Sequence, residues 1–319
     1  MPKNSIDITP VVKPVELDIH VPGDKSISHR SLMFAAMAQG TSTIENTGTG
    51  EDIQSTKRVL RGLGVSIGQK EPVQVRSKGL AGWREPAKEL DSGNSGTTMR
   101  LMTGMLSGRP FNSVLAGDES LSKRPMKRIV DPLTSMGAVI SAAEGVTAPL
   151  NIHPAELHGI EYEMPVASAQ VKSAIILAGL QAEGETVIHE KSLSRRHTEV
   201  MLSQFGAPVD INGMTIRVNR LEDSIDPIEF SVPGDPSSAA FWAAAAALIP
   251  DSHCIIRDVN LSPERIHFYH ILQKMGADVD IYIEDDSVEP RGIIEVIHRT
   301  LNGVELNRDD IPAMIDELP

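Results

Sequence analysis

A short pattern recurs four times along the chain and limits its possible folds more than any other feature. It reads Leu, two variable residues, a large apolar residue, Gly, then Ala or Val, and its glycines are Gly64, Gly137, Gly206 and Gly276. They recur at intervals of roughly 70 residues, which is typical of a repeated structural unit. Each copy predicts a helix that ends at a left-handed glycine and continues into a strand, as at residues 138–140.

A polar turn followed by an apolar helix precedes each copy of this pattern. The predicted helices cover residues 31–39, 99–106, 171–180 and 239–248, after turns at 22–26, 91–98, 165–170 and 233–238. Helices that are apolar on every side belong in a core, so we expect all four to be buried. Short segments such as 42–46, 186–189 and 253–257 have the pattern of strands. The sequence therefore predicts a layered or closed α+β fold in which parallel helices bring their polar turns to one face.

Length and charge narrow the class of protein. A chain of 319 residues predicts two domains. Its net charge of -13 argues against non-specific binding to nucleic acid or anionic membranes. Its basic residues nevertheless gather beside the polar turns, at Lys25, Arg30, Arg100, Lys123, Arg124, Lys127, Arg128, Lys172, Arg195 and Arg196. An acidic protein with a local basic lining predicts a small anionic ligand.

The single cysteine and the lengths of the apolar runs indicate in which cellular compartment the protein is found. Cys254 lies in an apolar run and is predicted to be a buried structural thiol. The longest apolar run, residues 239–249, has 11 residues and is too short to span a bilayer. We expect a cytoplasmic protein.

Several turns carry groups that suit an anion, although each also has a purely structural interpretation. Residues 93–98 form a plausible anion cradle or, alternatively, a glycine turn with a Thr cap. Residues 122–128 place four cations at a helix start, where they serve a ligand or form a solvated face. Residues 168–172 carry hydroxyl and amide donors for a polyol, and Arg195 offers a forked donor. The pairs His153/His158 and His267/His270 lack a third ligand nearby, so a structural role is expected for them.

These turns, taken together and in order, resemble 5-enolpyruvylshikimate-3-phosphate synthase (3-phosphoshikimate 1-carboxyvinyltransferase). The resemblance rests on residues 23–26, residues 93–97 with Arg100, residues 124–126, residues 168–172, and Arg195, His197 and Glu199. The last two motifs resemble the class II branch of that family. The resemblance implies repeated βαβαββ units around buried parallel helices, in the inverse α/β barrel fold of enolpyruvyl transferases.

The resemblance also implies the reaction and its site. The family transfers the enolpyruvyl group of phosphoenolpyruvate to the 5-hydroxyl of shikimate 3-phosphate, in the shikimate pathway to chorismate and aromatic amino acids, without metal or organic cofactor. Asp316 and Lys25 would be catalytic, with Asp316 as proton acceptor. Shikimate 3-phosphate would be held by Lys25, Ser26, Arg30, Ser168, Ala169, Gln170, Arg195 and Asp316. Phosphoenolpyruvate would be held by Lys25, Gly96, Arg124 and Gln170.

The resemblance predicts two domains, and the second is incomplete. Residues 22–232 would form a complete domain of three units, and residues 1–21 with 233–319 part of the other. The family continues beyond Asp316 with further cationic residues for phosphoenolpyruvate. We therefore expect a chain truncated at its C-terminus, a monomer that is weakly active or inactive by itself.

Two alternatives remain open. UDP-N-acetylglucosamine enolpyruvyl transferase shares the fold, but that family has a cysteine nucleophile in a mobile loop and a Lys-Asn pair after the first turn. Here Lys25 is followed by Ser26, and Cys254 lies in a predicted strand. The second alternative is a degraded paralogue that binds anions without catalysis.

Overall fold

The structure is a computed structural model that describes residue 11, residues 13–308 and residues 310–318, without the side chain of Pro312. Residues 1–10, which belong to the predicted second domain, lie outside the described residues. The helices are α1 (Lys25–Met37), α2 (Glu51–Gly62), α3 (Gly96–Leu106), α4 (Lys127–Ser135), α5 (Ala169–Gly179), α6 (His197–Gln204), α7 (Pro236–Leu248), α8 (His267–Met275) and α9 (Asp310–Ala313). Two short 3₁₀ helices cover Leu80–Gly82 and Leu121–Lys123.

The strands and the first eight α-helices follow one another in the repeated order βαβαββ. They are β1 (Glu16–His20), β2 (Gln39–Glu45), β3 (Ser66–Ile67), β4 (Val73–Lys78), β5 (Leu90–Asp91), β6 (Ser113–Ala116), β7 (Val139–Ala143), β8 (Thr147–His153), β9 (Glu161–Glu163), β10 (Thr186–His189), β11 (Val209–Asn212), β12 (Thr215–Val218), β13 (Glu229–Ser231), β14 (His253–Asn260), β15 (Asp278–Asp285) and β16 (Arg291–Ile297).

The chain divides into two compact units, which are described separately. Residues 22–233 form what we call the three-sheet unit, and residues 1–21 with 234–319 form the single-sheet unit. The sheets of the three-sheet unit have the strand orders β13-β2-β4-β3, β5-β6-β8-β7 and β9-β10-β12-β11. The described residues of the single-sheet unit form one sheet, β1-β14-β16-β15. In each sheet the first pair of strands is parallel and the others are antiparallel, so all four repeat one topology.

The predicted internal repeat is therefore confirmed in its details. Gly64, Gly137, Gly206 and Gly276, which follow α2, α4, α6 and α8, have φ angles of 95, 97, 81 and 103°. This left-handed conformation costs an L-residue energy that glycine avoids, and it turns the chain from each helix into the next strand. The predicted strand segments coincide with β2, β10 and β14.

The apolar helices begin earlier than predicted. Their first residues are Lys25, Gly96, Ala169 and Pro236. Each is preceded by a side chain that caps the helix, namely Asp24, Ser95, Ser168 and Asp235, whose oxygens accept amide hydrogen bonds from the first turn. A prediction from apolarity alone assigns the polar first turns of these helices to the preceding loops, although Ser and Asp are favoured caps.

Helices α1, α3 and α5 fill the core of the three-sheet unit. Residues 27–37 of α1 are all buried, as are residues 171–179 of α5. Helices α3 and α5 touch at Gly104, where a Cβ atom would lie 2.3 Å from the carbonyl oxygen of Ala174. A glycine is therefore required for the two helix backbones to come this close.

Helix α7 contradicts the prediction that every apolar helix is buried on all sides. Ala239, Ala243 and Ala247 pack in the core of the single-sheet unit. Phe241 on the same helix is 80% exposed, and Trp242 is 45% exposed. One sheet covers one side of a helix, so an all-apolar sequence does not by itself bury the opposite side.

Cys254 confirms the prediction of a buried thiol, since it lies in β14 with no exposed surface. Burial raises the pKa of this thiol to about 11. Among the described residues, no helix is long and apolar enough to cross a membrane. No group of three His, Cys, Asp or Glu side chains in the described part of the chain could hold a metal ion.

Candidate active site at the N-termini of three buried helices

The N-terminal ends of α1, α3 and α5 lie together in the three-sheet unit. Gln170, in the first turn of α5, donates from Nε2 to Thr97 Oγ1 in the first turn of α3 at 3.2 Å. Arg30 of α1 donates from Nη2 to Ser173 Oγ of α5 at 2.9 Å. Because the helices are parallel, their free amide N–H groups and positive dipole ends gather on one face, where an anion is favoured.

The first turn of α3 is shaped for an anion. Ser95 caps only the amide of Thr98. In the described residues the amides of Gly96 and Thr97 make no hydrogen bond. A Cβ atom at Gly96 would lie 3.0 Å from Arg100 Nη1 and 3.4 Å from Arg124 Nη1. Glycine thus leaves two amides and two guanidinium groups facing a common space.

Three arginines lie close to one another beside this turn, with the Asp118 carboxylate as a neighbour of Arg124. Burial, together with the neighbouring Arg128 and Arg124, lowers the pKa of Arg100 to about 10, so it remains protonated at neutral pH. Arg124 donates from Nη2 to Asn94 Oδ1 at 2.6 Å, which fixes its guanidinium. No carboxylate in the described ranges lies within ion-pair distance of the three arginines. Three clustered cations that form no ion pair among the described residues favour an anionic ligand, whose charge would add to that of Asp118.

The first turn of α1 places one exposed and one buried cation. Lys25 is 60% exposed in its side chain, and its Nζ lies 3.7 Å from Asp52 Oδ2. Arg30 is buried and donates from Nε to Thr198 Oγ1 at 2.7 Å. It also donates from Nη1 to the carbonyl of Ser26 at 3.0 Å. The structure therefore fixes the Arg30 guanidinium below the end of α1, whereas Lys25 can reach into solvent.

The first turn of α5 contributes Ser168, Ala169 and Gln170, all partly exposed. Ser168 Oγ accepts from the amide of Val171 at 3.5 Å. The Oε1 of Gln170 accepts from Arg100 Nη1 at 2.5 Å. Gln170 therefore bridges the ends of α3 and α5, where the resemblance expects it to reach both ligands.

A buried ion cluster lies behind the end of α5. Lys172 Nζ lies 2.8 Å from Glu190 Oε2 and 2.6 Å from Glu199 Oε1, and all three side chains are fully buried. Burial raises the pKa of Glu199 although Lys172 opposes the shift. Glu190 also accepts from the Ser194 hydroxyl at 2.6 Å, so the cluster holds the loop that carries Arg195. Sequence reasoning noted Lys172 only as part of a motif and missed its two partners.

Asp316 lies in the single-sheet unit and is exposed. It lines a cavity of about 300 Å³ beside the first turn of α7. Its neighbour Glu317 accepts from Ser237 Oγ at 2.5 Å, and Arg265 donates from Nη2 to the same Ser237 oxygen at 3.0 Å. These bonds anchor the segment that carries Asp316 to the N-terminus of α7.

The structure brings most of the predicted site residues together. Lys25, Ser26, Arg30, Gly96, Arg124, Ser168, Ala169 and Gln170 all lie at or beside the three helix ends. Arg195 is half-buried in the loop before α6. Sequence reasoning missed His29, which is buried between Lys25 and Arg30 of the same motif.

The fold and site together define a protein of repeated α+β units with a preformed site for small anions. A family model described as EPSP synthase (3-phosphoshikimate 1-carboxyvinyltransferase) matches residues 10–319. The chain belongs to this family. The family assignment confirms the sequence resemblance. UDP-N-acetylglucosamine enolpyruvyl transferase has its cysteine in a mobile loop, whereas Cys254 is buried in β14.

Curated relatives and solved structures agree with this assignment. A 3-phosphoshikimate 1-carboxyvinyltransferase of Bacillus licheniformis is 48% identical over 305 residues, which cover 95% of this chain and 71% of the relative. A protein of the same name from Oceanobacillus iheyensis is 46% identical over 319 residues, covering 99% of this chain and 74% of the relative. An EPSP synthase structure from Acinetobacter baumannii has a TM-score of 0.89 and 43% identity, covering 97% of this chain and 70% of that one. The predicted inverse α/β barrel fold is confirmed.

Proposed function

We propose that this chain catalyses the 3-phosphoshikimate 1-carboxyvinyltransferase reaction of its family. The enolpyruvyl group of phosphoenolpyruvate is transferred to the 5-hydroxyl of shikimate 3-phosphate, and phosphate is released. The observation that carries the proposal is the arginine cluster at Arg100, Arg124 and Arg128 beside the amides of Gly96 and Thr97, which make no hydrogen bond among the described residues. Two highly charged anions need such preorganised donors, which lose little free energy to rearrangement when the ligand binds.

Phosphoenolpyruvate is assigned to the end of α3. Its phosphate would accept from the amides of Gly96 and Thr97 and from Arg124, whose guanidinium is already fixed by Asn94. Gln170 and Lys25 complete the predicted set. The arrangement supports this assignment because Nη1 of Arg100 and Nη1 of Arg124 lie 3.0 and 3.4 Å from the position that a Cβ atom at Gly96 would occupy.

Shikimate 3-phosphate is assigned to the ends of α1 and α5. Lys25 and Ser26 lie in the first turn of α1, while Ser168, Ala169 and Gln170 lie in or beside the first turn of α5. Arg30, which bonds Ser173 and Thr198 as well as Ser26, joins these two helix ends. Arg195 is proposed to bind from the loop that the Lys172 cluster holds.

Chemistry then requires one bond to form and one to break at the same carbon. C3 of phosphoenolpyruvate gains a proton as the 5-hydroxyl oxygen bonds to C2, and the hydroxyl proton passes to a base. The bond between C2 and the phosphate oxygen then breaks while C3 loses a proton, which restores the double bond and releases phosphate. Asp316 is proposed as the proton acceptor and Lys25 as the cation between the two substrates. Lys25 suits this role because it is exposed and close to the gathered helix ends.

Gly96→Ala tests the proposal directly by calorimetric titration of the 319-residue chain with each substrate. The added methyl would displace Arg100 or Arg124 and crowd the phosphate, so phosphoenolpyruvate should bind about tenfold more weakly. Binding of shikimate 3-phosphate should stay within about twofold. Gly303→Ala is the matched control, since a Cβ atom there meets nothing within 4 Å.

Two results of these titrations would contradict the proposal. A folded wild-type chain that binds neither substrate contradicts the proposed function. A Gly96→Ala chain with unchanged affinity for phosphoenolpyruvate contradicts the assignment to the end of α3.

We also propose a cytoplasmic monomer, in keeping with small diffusible anionic substrates and a single buried thiol. Light scattering of the purified chain measures its mass, and a dimer would contradict this part.

A further inference from the structure

A buried chain of polar side chains connects three helices beneath the candidate site. His29 Nδ1 of α1 lies 2.7 Å from Thr56 Oγ1 of α2, which lies 2.7 Å from Thr98 Oγ1 of α3. Thr98 in turn donates to Ser95 Oγ at 2.8 Å. All four side chains have no exposed surface. The chain therefore ends at the residue that caps α3, directly below the amides of Gly96 and Thr97.

The state of His29 sets the direction of these hydrogen bonds. Burial, with the nearby charges of Arg30 and Lys25, lowers its pKa to about 3, so the imidazole is neutral. Its Nε2 has no hydrogen-bond partner in the described residues. A buried N–H without an acceptor is rarer in proteins than an acceptor without a donor, so the proton belongs on Nδ1.

With its proton on Nδ1, His29 donates to Thr56, Thr56 donates to Thr98, and Thr98 donates to Ser95. The hydroxyls of Thr56 and Thr98 each accept one hydrogen bond and donate the next, and the Thr98 oxygen also lies 3.4 Å from the carbonyl oxygen of Asp52. Ser95 Oγ accepts a second bond from the amide of Thr98 at 3.2 Å. Its hydroxyl oxygen is thus committed to the third amide of α3, and the first two amides stay available to a ligand.

We propose that His29 is a positioning residue for the anion bound at the end of α3. It acts through Thr56 and Thr98, which hold Ser95 away from the amides of Gly96 and Thr97. This inference rests on the proposed function, which assigns that anion to the phosphate of phosphoenolpyruvate. Shikimate 3-phosphate is assigned to the ends of α1 and α5, so its binding serves as an internal reference.

The test is titration of the whole chain with phosphoenolpyruvate and with shikimate 3-phosphate, in two pairs of variants. His29→Asn keeps an N–H donor near the position of Nδ1, whereas His29→Leu removes it. Thr56→Ser keeps the hydroxyl, whereas Thr56→Val removes it. We expect His29→Leu and Thr56→Val to bind phosphoenolpyruvate about tenfold more weakly, and shikimate 3-phosphate within about twofold. The Asn and Ser variants should bind both substrates as wild type does.

A purely structural role predicts a different pattern. Equal weakening of both substrates in the Leu and Val variants, or no weakening of either, overturns the proposal. If the Leu and Val variants do not fold, nitrogen-15 NMR of the wild-type imidazole, assigned by comparison with His29→Asn, decides instead. A proton on Nδ1 at neutral pH is the expected signature, and a proton on Nε2 would reverse the chain and refute the inference. A wild-type chain that binds neither substrate refutes the proposed function instead, and the NMR measurement still tests the tautomer.

Discussion

Helices α5 and α7 have nearly the same kind of sequence but different surroundings. In the three-sheet unit, α5 is buried from Val171 to Gly179. In the single-sheet unit, α7 is the more apolar of the two, yet Phe241, Trp242 and Leu248 are exposed. Apolar sequence therefore predicts that a helix can be buried, whereas the number of sheets packed around it decides whether it is buried.

The two units also differ in how many hydrogen-bond donors they gather at their helix ends. The three-sheet unit brings three helix ends together, so amides, arginines and Gln170 converge. In the described residues of the single-sheet unit, the N-terminus of an apolar helix is found at α7, where Asp235 and Glu317 both accept hydrogen bonds from Ser237. The donors therefore converge because several repeated units pack together, and one unit by itself does not bring them together.

The largest expected effect comes from the buried ion cluster of the three-sheet unit. Lys172→Met leaves Glu190 and Glu199 buried without their cation and should lower the free energy of unfolding by about 4 kcal/mol. Urea unfolding followed by far-ultraviolet circular dichroism, which reports on the helices of both units, measures the change. Arg299→Met, which breaks an exposed pair with Asp278 in the other unit, should cost less than about 1 kcal/mol. Equal losses in the two variants would contradict the distinction between the units.

The contact between α3 and α5 is the next most sensitive feature. Gly104→Ala places a methyl group against the Ala174 carbonyl and should cost about 3 kcal/mol through a forced separation of the helices. Ala244→Leu, on the partly exposed side of α7, adds more volume but should change stability by less than about 0.5 kcal/mol. Thermal unfolding of both variants makes the comparison. A larger loss for Ala244→Leu would show that α7 is as tightly enclosed as α3.

His29 should make the three-sheet unit sensitive to acid. Its folded pKa of about 3 lies below the ordinary value of 6.5, so protons prefer the unfolded chain as the pH falls between these values. The contribution of neutral His29 to stability is complete above pH 6.5 and decreases toward pH 3, with a loss of about 2 kcal/mol between pH 8 and pH 5. Nearby Arg30 and Lys25 strengthen this effect, and Asp24 opposes it.

Urea unfolding at pH 8 and pH 5 measures that loss. His29→Asn has no titrating group at this position, so it should lose about 2 kcal/mol less than wild type over the same interval. The other histidines are common to both proteins and cancel in the difference. Identical losses would mean that His29 is protonated in the folded protein.

The smallest expected change in stability is on the exposed face of α7. Phe241→Ser should alter the free energy of unfolding by less than about 0.5 kcal/mol, while it lowers binding of a fluorescent apolar dye. Phe34→Ser in buried α1 is the matched change and should cost several-fold more. Undiminished dye binding in Phe241→Ser would place the accessible apolar surface elsewhere.

Repeats and glycine caps could be predicted from the sequence because they depend on local backbone conformation. Gly64 and Gly276 both lie between two apolar residues after a helix and have similar φ angles of 95 and 103°, although they belong to different units. Helix starts were predicted too late, since Asp24 and Ser95 serve as caps only when their side chains meet specific amides. The partners of Lys172 could not be found, because Glu190 and Glu199 come into contact only after the chain has folded.

Site roles came from the family resemblance more than from the residues themselves. The residues alone left the turn at 93–98 open between an anion cradle and a capped glycine turn, and the structure shows features of both. Ser95 caps Thr98, and the two preceding amides make no hydrogen bond within the described residues. That residues 22–232 fold as a domain by themselves remains a prediction.

Strand β1 has a consequence for the order in which the chain can fold during synthesis. It pairs with β14, so Leu17 finds Cys254 only after more than two hundred further residues have been added. Every described strand of the three-sheet unit lies between β1 and β14 in the sequence, so these strands leave the ribosome before β14 does. A nascent chain can therefore complete the anion-binding helix ends while its own first strand is still unpaired. During that interval β1 has no strand to pair with, and its unpaired N–H and C=O groups can bind another chain.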